Sequence, residues 1–137
     1  MKKVERQVEV LLESLIEVAN IERVIASLPR GYISVKVISG HTYYYRQWRE
    51  GNKVVSAYVP ESYLNVVKQK IEIRKQNEEL LRILKVDYRK AERAVLKSGS
   101  LTQEQINNAK NHIASLTEEE LMNRREVVQN LINELLD

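Results

Sequence analysis

Residues 31–60 read GYISVKVISGHTYYYRQWREGNKVVSAYVP, the one stretch of the chain in which apolar side chains recur at every second position. Ser39-Gly40 and Gly51-Asn52 interrupt it, and such dipeptides between runs rich in Val, Ile and Tyr mark two-residue hairpin loops. The stretch therefore predicts three antiparallel strands in a meander. Tight loops also set the register, with Ile38 opposite His41 and Glu50 opposite Lys53. One face then carries Ile33, Val35, Val37, Thr42, Tyr44, Arg46, Trp48, Val55, Ala57 and Val59, and is expected to be buried. The other carries Ser34, Lys36, Tyr43, Tyr45, Gln47, Arg49, Val54, Ser56 and Tyr58. It is polar, aromatic and basic, and contains no carboxylate, a composition fitted to an anionic or planar partner. The competing explanation is that tyrosine is simply a good strand residue. Arg46, facing the small Ala57, has room to lay its stem across the sheet in a structural role.

Helical patterns flank the meander. Residues 4–28 place Val4, Val8, Leu11, Leu15, Val18 and Ile25 near heptad spacing, with Glu22 interrupting, and Pro29 ends the run by forcing its predecessor out of the helical region. Residues 62–97 contain neither Pro nor Gly and predict one helix roughly 50 Å long. Its apolar stripe is Val66, Ile73, Leu80, Leu84, Tyr88, Ala91 and Val95, with Leu81 beside it. A separate basic stripe runs through Lys68, Lys75, Arg82, Lys85, Arg89, Arg93 and Lys97. Ser98-Gly99-Ser100 breaks the chain. Beyond it, Thr102 with Gln105 and Thr117 with Glu120 form capping boxes that open two short helices, lined by Ile106, Ala109 and Ile113 and by Leu121, Val128, Leu131 and Leu135. The expected fold class is α+β: an N-terminal helix, a three-stranded antiparallel β-meander, a long helix and a C-terminal helical hairpin. Residues 1–97 would form the working module, and residues 101–137 an acidic hairpin packed on it or on a second subunit.

The charge is unevenly spread. Residues 30–60 hold five basic side chains against one acidic, and residues 61–99 hold ten against six. Residues 100–137 hold three against seven, so the middle of the chain carries the positive field. Arg89, Arg93 and Lys97 follow one another at i,i+4, where like charges cost a few tenths of a kcal/mol per pair. Either a nucleic-acid backbone or the acidic tail folded against them would offset that repulsion, and the tail's seven carboxylates favour the second.

A chain of 137 residues is about one domain, and without cysteine it has no disulfide or thiolate chemistry. No run approaches the roughly 18 apolar residues of a spanning helix, and the start lacks a signal-peptide pattern, so a cytoplasmic location is expected. Two histidines far apart, four glycines scattered over breaks and turns, and no metal-ligand spacing leave no catalytic or metal site to name. Glu118, Glu119 and Glu120 suit the first turn of a helix, where the macrodipole favours carboxylates. No enzyme activity, cofactor, metal or small-molecule substrate is expected.

Leu28-Pro29, Gly31, Tyr43-Tyr44-Tyr45, Arg49-Glu50-Gly51 and Tyr58-Val59-Pro60 together resemble a family of small uncharacterised prokaryotic proteins, over residues 28–84. That resemblance implies the meander followed by a long helix, and no activity. A weaker likeness is to the arm-type DNA-binding domain of tyrosine recombinases, also a three-stranded meander followed by a helix, which lays its sheet in the major groove. It implies that Lys36, Tyr43, Tyr45, Gln47, Arg49 and Ser56 face the duplex. The expectation is a small DNA-binding protein, a homodimer through its long helices. Gln47 and Arg49 would reach base edges, and Arg30, Lys36, Lys53 and Lys68 would contact phosphates. The rival expectation is a protein-interaction or scaffold module that docks a partner on the tyrosine face.

Overall fold

The computed structural model describes residues 3–136, with side chains from Glu5 to Leu136. The elements are α1 (Lys3–Ala26), β1 (Tyr32–Ile38), β2 (His41–Glu50), β3 (Lys53–Val59), a single 3-10 turn (Glu61–Tyr63), α2 (Leu64–Ser98), α3 (Gln103–Ser115), α4 (Glu118–Met122) and α5 (Arg124–Leu136). The α+β order read from the sequence is the order observed. The expected C-terminal hairpin contains three helices, because Asn123 leaves helical geometry at φ −91, ψ 64. Its carbonyl then accepts the first α5 bond from Val127, and its side-chain amide donates to the Glu126 carboxylate, so a new helix starts beyond it.

Two compact units emerge, one of Val24–Glu79 and one of Met1–Arg23 with Leu80–Asp137. The expected boundary at Ser98-Gly99-Ser100 is not where the chain divides. The division falls inside α1 and inside α2, because each helix gives its two ends to different neighbours.

In the helical unit, Val8, Leu11, Leu12, Leu15 and Ile16 of α1 enclose a core with Val95 of α2, Leu101 of the link before α3, Ile106, Ala109 and Ile113 of α3, Leu121 of α4, and Val127, Val128, Leu131 and Ile132 of α5. Val4, expected on the same stripe, lies outside the residues whose side chains are described. Both capping boxes form as read: Thr102 accepts from the Gln105 N–H and Thr117 from the Glu120 N–H, each with the reciprocal bond. The acidic tail therefore packs within its own chain. Arg89, Arg93 and Lys97 of the basic stripe are exposed and, among the described residues, none makes a hydrogen bond or ion pair with it.

In the sheet unit the strand order is β1-β2-β3, and the register pairs Ile38 with His41 and Glu50 with Lys53. Ser39 and Gly40 both have positive φ, 51 and 80, as a type I′ turn requires, whereas at the second turn Gly51 alone is positive, at 61, which suits type II′. Val59, Leu64 and Ile71 are buried, and Arg74 of α2 donates to the carbonyls of Ile25 (2.9 Å) and Leu28 (2.6 Å), tying α2 to the chain leaving α1. The apolar sheet face is covered only in part. Ile33, Tyr44, Trp48, Val55 and Ala57 are half-buried, but Val35 is 58% and Val37 69% exposed. The front of α2 also departs from its expected stripe: Leu64 and Ile71 are buried, while Val66, Ile73 and Leu80 face solvent. This half of α2 has apolar residues on two sides, and packing uses the side that also carries Arg74.

Candidate nucleic-acid interface

Cross-strand pairing arranges the open face of the sheet in rows. Tyr32, Gln47 and Ser56 form one, Ser34, Tyr45 and Tyr58 the next, and Lys36 with Tyr43 a third; Arg49 lies opposite Val54 at the far end. The rows follow from strand parity, since residues two apart share a face. The ring of Tyr45 sits at the centre. It meets Tyr58 edge-on at 5.9 Å and carries the Lys36 ammonium 4.8 Å above its centroid. The Tyr32 hydroxyl donates to Gln47 Oε1 at 2.8 Å, which orients the Gln47 amide, whose N–H donors have no partner among the described residues. Arg49 is exposed and, among the described residues, has no hydrogen-bond or ion-pair partner.

At the opposite end β1 and β2 run past β3. His41, Thr42 and Tyr43 have partners in β1 but none in β3, so the sheet ends in a two-stranded tip three residue pairs long, about 10 Å at strand rise. His41 and Tyr43 stand on the open face of this tip with rings 6.5 Å apart, and Lys36 pairs with Tyr43.

Of the residues expected to touch a partner, Lys36, Tyr43, Tyr45, Gln47, Arg49 and Ser56 share this face. Arg30, Lys53 and Lys68 do not join them. Arg30 approaches Glu50 at 3.8 Å, and its carbonyl accepts from Arg46 at 2.8 Å on the helix-covered side. Lys53 is opposite Glu50, which shares that side with Arg46 and Trp48. Lys68 belongs to α2. Tyr32 and His41 are additions. Both have the parity of the open face, a signal present in the sequence once β1 is begun one residue earlier and the second strand at the turn itself.

The covered face is arginine-rich for structural reasons. The Arg46 guanidinium stacks 3.8 Å from the Trp48 ring and, with Arg30, Arg74 and Leu28, lines a cleft of about 410 Å³. Burial, then the charges of Arg30 and Arg74, hold the Arg46 pKa below its ordinary value. Arg46 thus has the structural role expected of it. Gly31 fixes where this layer begins: at φ 102 it passes so close to β2 that a Cβ there would lie 1.9 Å from the Gln47 carbonyl oxygen.

The stretch from α1 through the meander to the first turn of α2 is matched as a whole: residues 1–69 fit the family described as a domain of unknown function, DUF6788. The chain belongs to the DUF6788 family. The motif residues Gly31, Tyr43-Tyr44-Tyr45, Arg49-Glu50-Gly51 and Tyr58-Val59-Pro60 all fall inside the matched region, and the DUF6788 segment thus contains the whole sheet and its open face. No curated protein and no solved structure matches the chain, and the likeness to recombinase arm domains has no counterpart among the comparisons. No helix among the described residues is long and apolar enough to cross a membrane.

Proposed function

We propose that this DUF6788 protein binds duplex DNA through the open face of its sheet. The observation that carries the reading is a face of four tyrosines with Lys36, Gln47 and Arg49 and no carboxylate, in a chain where acidic residues are otherwise frequent. The two-stranded tip is narrow enough for a major groove about 12 Å wide. With the sheet lying lengthwise along the groove, Lys36 and Tyr43 would sit at the tip end, Gln47 and Arg49 toward the other end of β2 would meet base edges, and Tyr45 and Ser56 would flank them. The exposed Val66, Ile73 and Leu80, seven residues apart on α2, suit a homodimer seam between two copies of that helix.

The test is fluorescence anisotropy of a labelled random duplex with the full chain. Lys36, the one expected phosphate contact that stands on the face, predicts roughly a three- to fourfold loss of affinity between 50 and 200 mM salt. Gln47→Ala with Arg49→Ala should weaken binding at least tenfold while leaving the melting temperature in place. Binding indifferent to salt, or unchanged in the double variant, refutes the reading. A sedimentation profile showing only monomers refutes the helix seam separately. One observation favours a protein partner instead: Val37 and Ile38 at the tip, and Val35 beside it, are all more than half exposed. Absence of duplex binding at low salt, with retention of a partner that the variant Val37→Lys releases, would select that reading.

A further inference from the structure

Within the helical unit, α1, α2 and α3 leave a half-open cleft of about 390 Å³ between them. Leu15, Val18 and Ala19 of α1 and Ile113 of α3 supply its apolar wall. Lys85, Tyr88 and Arg89 of α2 and Lys110 of α3 line it as well, against one carboxylate, Glu22. The volume lies within the range of small-molecule sites, which are mostly apolar with a few converging polar groups.

The cations are not equivalent. Lys110 donates to the Tyr88 hydroxyl at 2.9 Å and to Glu92 at 3.2 Å, so its position is set and its charge is balanced, with one N–H donor left over. Arg23, a turn away from Ala19, already donates to the carbonyls of Ile113 and Ala114 that end α3. Lys85 and Arg89 have no such use. They stand one helical turn apart, where like charges repel, and among the described residues neither makes a hydrogen bond or an ion pair. An apolar wall beside two unbalanced cations and a preset ammonium is complementary to a ligand with an apolar body and one anionic head.

We infer that this cleft is a binding site for a small amphipathic anion, an octanoate-sized carboxylate or its sulfonate equivalent. The chain of the ligand lies on Leu15, Val18, Ala19 and Ile113. Its head is held by Lys85 and Arg89, with the third donor of Lys110 as a further contact. The inference is independent of the DNA reading, since none of these residues belongs to the sheet.

The experiment is a titration of the full chain with octanoate, followed by amide NMR shifts and repeated with octanol as the uncharged counterpart. Saturable shifts confined to the segments around residues 15–22, 85–89 and 110–114 are expected, with octanol at least tenfold weaker. Lys85→Ala with Arg89→Ala should weaken octanoate at least tenfold and keep the helical circular dichroism and melting temperature. Should that variant unfold, Lys85→Gln and Arg89→Gln singly are expected to weaken octanoate about threefold each. Shifts that do not saturate, shifts centred elsewhere, equal binding of octanol, or variants that bind as the parent does would each overturn the site.

Discussion

Replacing Gly31 by alanine tests the joint between Pro29 and the sheet. Gly31 has φ 102, where an L-residue is strained by about 1–3 kcal/mol. The added Cβ would also lie 1.9 Å from the Gln47 carbonyl oxygen and 3.0 Å from the Trp48 Cβ. The first of these atoms is backbone in the middle of β2, so no rotamer change removes the clash. The strands must part by about 1.5 Å to restore ordinary contact, which breaks the Tyr32–Gln47 end of the ladder at roughly 1 kcal/mol per hydrogen bond. Together these come to about 3 kcal/mol. With an unfolding entropy near 2.1 cal/mol/K per residue over 137 residues, the midpoint should fall by about 10 °C. Gly51→Ala is the matched control. Its φ is 61 and nothing lies within 4 Å of the added carbon, so about 1 kcal/mol and 3–4 °C are expected. Thermal melts by circular dichroism compare the two directly. If both variants melt at the same temperature, the close approach of Gly31 to β2 does not exist in solution, and the position assigned to Gln47 fails with it.

Arg74→Met removes the donors to the Ile25 and Leu28 carbonyls while keeping an apolar stem. Relief of the repulsion with Arg46 offsets part of the loss, and denaturant titration should report about 2–3 kcal/mol of destabilisation; less than half a kcal/mol would show the clamp to be idle. Ser39 occupies the left-handed region at φ 51, in a type I′ turn that prefers Asn. Ser39→Asn should therefore raise the melting midpoint by about 2 °C, and a fall would contradict the turn type. Burial alone would raise the Glu92 pKa, but hydrogen bonds from Gln103 and Lys110, the Lys110 charge and the Tyr88 hydroxyl outweigh it and hold the carboxyl below its ordinary value. A carboxyl depressed on folding stabilises above its unfolded pKa and loses that contribution as pH falls through the folded one. Glu92→Gln should accordingly be less stable than the parent at neutral pH, with the gap closing below about pH 4; a gap that persists at acid pH would mean the carboxylate charge is not what matters.

How much of this was legible in the sequence depends on how local the determining physics is. The meander, its register and its two faces follow from two turn dipeptides and a period of two, and both hairpins pair as expected. The capping boxes at Thr102 and Thr117 are equally local, since each involves four consecutive residues. The break at Asn123 was not read, because nothing in the run from Leu121 to Leu135 that lines the last helix marks an interruption there.

The sequence by itself determined the α+β order, the strand register and which strand residues stand together on the open face, because turn chemistry and side-chain alternation act over a few bonds. Tertiary structure alone decided which side of α2 is buried. Leu64 and Ile71 compete there with Val66, Ile73 and Leu80, helical periodicity permits either set, and only the neighbours that α2 meets select between them. The same holds for Arg30 and Lys68, basic in composition but not on the open face of the sheet, and for the unbalanced pair Lys85 and Arg89, whose cleft exists only where three helices converge.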